Sequence, residues 1–143
     1  MKKYHNILEF DKIIDLLKNE VKLDTNIDKL DEVVLSSNIL EVRSMLSETV
    51  EAKTILERIG RFPLYYSSNV DYELMKATKK GVLLPHDILE VGKLLDTVKN
   101  ILIFNDSLVS HEIVNEIFDN YVNSLEYLKV LKLRIKDTIN NFV

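Results

Sequence analysis

GVLLPHDILEVGKLLDTVKNILIF occupies residues 81 to 104, and its reading decides the fold. Gly81 and Pro85 stand four residues apart in a chain that holds three glycines and two prolines. Gly81 reads as the stop of one helix. Pro85 reads as the start of the next, because a first-turn proline gives up no helical hydrogen bond. His86, Asp87 and Glu90 follow it. Ile88, Leu89, Leu94, Leu95, Val98, Ile101 and Leu102 recur at helical steps to about Phe104. The leucines of the link, Leu83 and Leu84, are expected to pin the joint against the core.

The same grammar extends outward. Ile7, Leu8, Phe10, Ile13, Ile14, Leu16, Leu17 and Val21 predict an amphipathic helix over residues 4 to 21. A short helix carrying Ile27, Leu30, Val33 and Val34 follows the DTN break at 24 to 26. Asn38 reads as an N-cap, with Glu41 three residues on as the second half of a capping box. The helix it opens runs to Ile59, with Ile39, Val42, Met45, Leu46, Val50, Ile55, Leu56 and Ile59 on its inward side, and Gly60 ends it. Ser68 is placed to cap a helix from Asn69 to Lys80. The NDS triplet at 105 to 107 reads as a break. A helix from about Leu108 to Asn120 and a last one carrying Leu125, Leu128, Leu131, Ile135, Ile139 and Phe142 complete the chain. No alternating strand pattern, internal repeat or low-complexity linker interrupts this. The expected fold is all-α: an irregular antiparallel bundle of about six to seven helices, in one domain spanning residues 1 to 143.

Composition bounds the function. Apolar residues make up 46% and charged residues 29%, a globular profile. The absence of cysteine excludes disulfides and thiolate metal sites and suits a reducing cytoplasm. No run approaches the roughly 20 apolar residues of a membrane span. A formal charge of −4 argues against a chain whose main work is to grip bare phosphate backbone.

Chemistry-bearing patterns are few. Gly60, Gly81 and Gly92 are isolated, so neither a P-loop nor a dinucleotide fingerprint exists. His5, His86 and His111 lie far apart in sequence, and His111-Glu112 does not continue into HExxH. The pairs Asp28/Asp31 and Glu48/Glu51 sit one turn apart, but helical di-metal sites also want Glu-x-x-His on facing helices. Catalytic, cofactor and metal residues are therefore assigned to none. Lys129, Lys132 and Lys136 line one side of the last helix with Arg134 nearby, a candidate nucleic-acid contact beside the plainer reading of a solvated face. Tyr65 and Tyr66 are able to stack on bases or to anchor a loop.

A resemblance adds to this reading. GVLLPHDIL resembles a phrase typical of the MutS family, in its second, recombination-suppressing branch, where members read GGVLSPEEL. Four further stretches agree in order and spacing. LEFDKI at 8 to 13 matches the branch's opening phrase, and LSSNILEVRSMLSET at 35 to 49 is similar to PSTDLEEVxxLLEET. VEAKTIL at 50 to 56 continues it, and GRFPL at 60 to 64 matches G-x-x-PL. The likeness runs from about residue 7 to 104. Lys80 stands where the branch has the first glycine of its pair, Leu84 where it has a helix-capping serine, and Leu35 where it often has proline.

The resemblance implies an N-terminal core and lever segment that connects a DNA clamp to a C-terminal ATPase in a dimeric protein. It implies ATP and magnesium bound elsewhere on a longer polypeptide, and in some members a nuclease domain. It implies a cytoplasmic role in DNA repair or in suppressing recombination, with DNA or a stalled ribosome as the parent's target and no membrane. On this reading the chain is an N-terminal fragment with no catalysis of its own. The alternative is a free-standing helical adaptor or dimerisation module. A helical-bundle metalloenzyme is the third reading.

Overall fold

In a computed structural model of the chain, residues 9–21, 27–33, 35–64 and 69–140 are described. They form seven helices and no strand: α1 (Phe10–Glu20), α2 (Ile27–Asp31), α3 (Ile39–Ile59), α4 (Asp71–Thr78), α5 (Pro85–Ser110), α6 (Glu116–Val122) and α7 (Lys129–Asn140). The fold is an irregular all-α bundle, as the helical periodicity predicts.

Helix α5 is its spine. At 26 residues it is about 39 Å long. α4 packs near its start, α7 on its first half around Gly92 and Asp96, and α6 near its end, while α6 also packs on α3 and α1 pairs with α2. The core sits at the far end of the spine. Ile55 of α3, Phe104 and Leu108 of α5 and Ile113 form it, with Ile59, Phe62 and Phe118 packed against them. Phe62, Phe104 and Phe118 meet edge to face, with centroids 5.5, 5.8 and 6.1 Å apart. In that arrangement each positive ring edge meets a negative ring face.

Several ends form as the sequence predicts. Asn38 accepts from the Leu40 N–H at 3.0 Å, and Gly60 closes α3 at φ 85° with its N–H on the Leu56 carbonyl. Pro85 opens α5. The second half of the box at Asn38 does not form, because the Glu41 carboxylate accepts from the Ser36 hydroxyl instead.

Other expectations are corrected. The NDS triplet does not break α5, which continues through it to Ser110. The expected helix from Leu108 to Asn120 is split. Its first residues finish α5, and α6 starts only at Glu116. Glu112, in the left-handed region at φ 55°, makes the turn between them. Ile39, Met45, Leu46, Val50 and Leu56 are exposed rather than inward, and of the apolar face of α1 only Ile14 is buried. Of the link's two leucines Leu83 is half-buried and Leu84 is half exposed, so Leu84 does not pin the joint by burial. The Ser68 cap, Tyr65, Tyr66, His5 and Phe142 lie outside the described residues.

Candidate functional site

The basic face of α7 comes first. Lys129, Lys132 and Lys136 follow three- and four-residue steps and share one side, and Arg134 points about 140° away from Lys129 at about 100° per residue. Lys132 is drawn inward. Its Nζ donates to the Gly92 carbonyl at 2.8 Å and to the Asp96 carboxylate at 2.6 Å, both on α5. Gly92 makes room for this. A Cβ there would lie 3.3 Å from the Lys132 Nζ and 3.3 Å from Ile135. Lys132 thus ties α7 to the spine, while Lys129, Arg134 and Lys136 are exposed to solvent.

The acidic pair Glu48/Glu51 is spent on packing. The Glu51 carboxylate accepts the first-turn N–H groups of α6, from Ile117 at 3.2 Å and Phe118 at 2.7 Å. It takes the place of a local N-cap, since the Asn115 side chain makes no capping bond. Glu48 meets Tyr121 one turn on. Its charge, and its acceptance of the phenol O–H, hold that hydroxyl above the ordinary tyrosine value. Glu51 therefore clamps α6 onto α3.

A second polar cluster explains why α5 runs through Asn105. The buried Asn105 amide donates to Asp119 at 2.6 Å and its carbonyl accepts from Asn115 at 2.8 Å. Asp119 also accepts from Asn123 at 2.8 Å. Each member has a partner, so the network is satisfied and stiffens the spine's end.

The third cluster is at the spine's start. The Asp87 carboxylate, 7% exposed, accepts from the Leu84 N–H at 2.9 Å, the Lys76 Nζ at 3.3 Å and His86 Nε2 at 2.8 Å. The Leu84 N–H does most to hold the Asp87 carboxyl below the usual carboxylate range. Burial works against it, and Lys76 and His86 add to it. The leucine at position 84 supplies no side-chain cap, so the helix start relies on the Asp87 half alone.

His86 and His111 occupy the two ends of α5, about 37 Å apart along its axis, and His111 Nδ1 contacts the Ser107 carbonyl at 2.7 Å. Among the described residues no group of three or more His, Cys, Asp or Glu is placed to hold a metal ion. None of the described helices is long and apolar enough to cross a membrane.

What the surface offers is apolar relief. A groove of about 590 Å³ runs between α3 and residues 114–117, lined by Leu46, Val50, Val114 and Ile117 with Arg43 at its side. A second, of about 460 Å³, lies over Ile55, Leu56, Phe62 and Phe118.

Comparison with known proteins gives these features a setting. Over 142 residues the chain is 28% identical to the endonuclease MutS2 of Shouchella clausii, an alignment covering 99% of this chain and 18% of that protein. The chain is similar to the endonuclease MutS2 proteins. With that of Geobacillus kaustophilus it shares 34% identity over 85 residues, 59% of this chain and 11% of the relative. With that of Clostridium beijerinckii it shares 32% over 94 residues, 66% of this chain and 12% of the relative. The chain thus spans less than a fifth of the length of these MutS2 relatives. No family model and no solved structure matches it.

Sequence reasoning paired Glu51 with Glu48 but missed its capping role, and it missed Phe62 altogether. Glu51 meets its partners 66 and 67 residues away, which no local pattern signals. Phe62 sits in GRFPL, noticed for its glycine and proline, not for the aromatic between them.

Proposed function

We propose that the chain is the core and lever segment of a longer MutS-like, DNA-binding ATPase that acts in DNA repair or in suppressing homologous recombination. Its work is mechanical: to carry ATP-driven motion to a DNA clamp. ATP and magnesium, and any nuclease domain, belong to the rest of that polypeptide, which self-associates in the cytoplasm and engages DNA or a stalled ribosome. The observation that carries this reading is α5, one unbroken helix with α4, α6 and α7 packed along it. A close-packed helical body resists compression and passes on displacement. The similarity over nearly the whole chain to part of the MutS2 proteins supports the setting.

The downstream reading frame tests it. The frame is expected to continue past Val143 into a Walker motif, and an in-frame stop there contradicts the reading. In the longer protein, Val98→Pro in the middle of α5 is expected to leave ATP turnover in place while uncoupling it from clamp closure.

A specific observation favours a second reading, a free-standing adaptor or dimerisation module. Ile39, Leu46 and Val50 form an exposed stripe on α3 at 63%, 58% and 62% exposure, and the latter two open into the groove beside residues 114–117. Sedimentation of the 143-residue chain separates the two. The lever reading expects a monomer at micromolar concentration, and the module reading a tight dimer.

A further inference from the structure

The spine has one weakly held neighbour. Helix α4 contains no buried residue, and its Tyr72, Leu74 and Met75 are 63%, 51% and 49% exposed. It packs on the start of α5. The bridge between the two is Lys76, in the last turn of α4, on the buried Asp87 carboxylate. Little apolar area holds the two together, so the docking free energy rests on polar contacts.

Two features work against the docked position. Lys80 ends α4 in the left-handed region at φ 58°, a conformation that crowds the Cβ of any residue but glycine. Glu73 has a carboxylate oxygen, Oε2, out of contact with solvent and without a hydrogen-bond donor among the described residues. One feature limits where the motion stops. Gly81 sits so close to Lys76 that a Cβ would lie 2.9 Å from its Cγ and 3.0 Å from its carbonyl oxygen. The unit that moves is therefore bounded by buried Val70 on one side and Pro85 on the other.

We propose that α4 is a releasable flap on an otherwise stiff strut, latched to the start of α5 by the Lys76–Asp87 pair. This goes beyond the lever reading and does not require it. An eight-residue helix is too short to persist alone in water, so release melts it and frees its amides. Conditions that weaken an ion pair, such as salt, are expected to favour release. Lys76 is 29% exposed and feels that screening.

Hydrogen exchange read by mass spectrometry on the 143-residue chain tests this with Lys76→Gln. That change removes the interhelix charge and leaves the Leu84 bond to Asp87 intact. Exchange over residues 72–80 is expected to accelerate about threefold to tenfold, with residues 98–110 unchanged. Unchanged exchange over 72–80 overturns the latch. Equal acceleration in both segments also overturns it, because the pair then braces the whole fold. A second variant, Lys80→Gly, relieves the left-handed turn and is expected to slow exchange over 72–80. Faster or equal exchange there counts against the proposal.

Discussion

Two helices of this chain end in the same backbone motif and have different fates. After α4, the Lys80 N–H bonds the Ala77 carbonyl and the Gly81 N–H bonds the Lys76 carbonyl. After α5, the Glu112 N–H bonds the Val109 carbonyl and the Ile113 N–H bonds the Leu108 carbonyl. Both are Schellman turns, and both place a charged, non-glycine residue in the left-handed region, at φ 58° and φ 55°. The next residue differs. Ile113 is 7% exposed and packs in the core with Leu108, which is fully buried. Gly81 has no side chain to bury. The hydrogen bonds close each helix equally, but only at the end of α5 does an apolar side chain fix what the turn is attached to. The difference assigns stiffness to the turn that follows α5 and compliance to the joint between α4 and α5.

The largest expected effect breaks the stiff end. Phe104→Ala removes the ring that touches both Phe62 and Phe118 and should cost about 3–5 kcal/mol in urea denaturation. Leu95→Ala lies between the two ends, where Leu95 is 6% exposed, and should cost about 2–5 kcal/mol. A loss below about half a kcal/mol would show that the site collapses freely, and the spine would not be close-packed there. Glu51→Ala should cost about 1–2 kcal/mol, because two first-turn N–H groups of α6 lose their acceptor.

The smaller effects sharpen the contrast. Lys80→Gly and Glu112→Gly each relieve a left-handed residue and should each raise stability by about 0.5–1 kcal/mol. Similar gains by denaturation would show that the two turns are equally strained and differ only in the residue after each, Gly81 or Ile113. Asp87 adds a pH dependence. Its carboxyl lies below the ordinary range in the folded chain, so its contribution is complete above about pH 4 and fades as the pH falls through the lowered value. The Tm of the wild type should therefore exceed that of Asp87→Asn at neutral pH and converge with it in acid.

The parts legible in the sequence are those whose causes are local. Asn38, Gly60 and Pro85 mark helix ends through their own backbone chemistry, and the structure has helix ends at all three. The Asn105-Asp106-Ser107 triplet misleads because its amide finds partners at the cap and in the first turn of a later helix, 10 and 14 residues on. Periodicity shows that α3 has an apolar face, but not whether anything covers it, and Leu46 is exposed for that reason. Of the candidate basic residues, the spacing grouped Lys132 with Lys129 and Lys136. It carried no sign that Gly92, 40 residues earlier, would draw Lys132 onto α5.

The central claim is that α5 is a single stiff rod from Pro85 to Ser110. The chain has no cysteine, so Leu89→Cys and Val109→Cys, at two exposed positions of α5, give clean sites for a pair of spin labels. Twenty residues of α-helix place their Cα atoms about 30 Å apart, and pulsed electron resonance should return one narrow distance distribution consistent with that separation. A broad or two-peaked distribution would mean that the rod bends or breaks, and the account of this chain as a lever would fail.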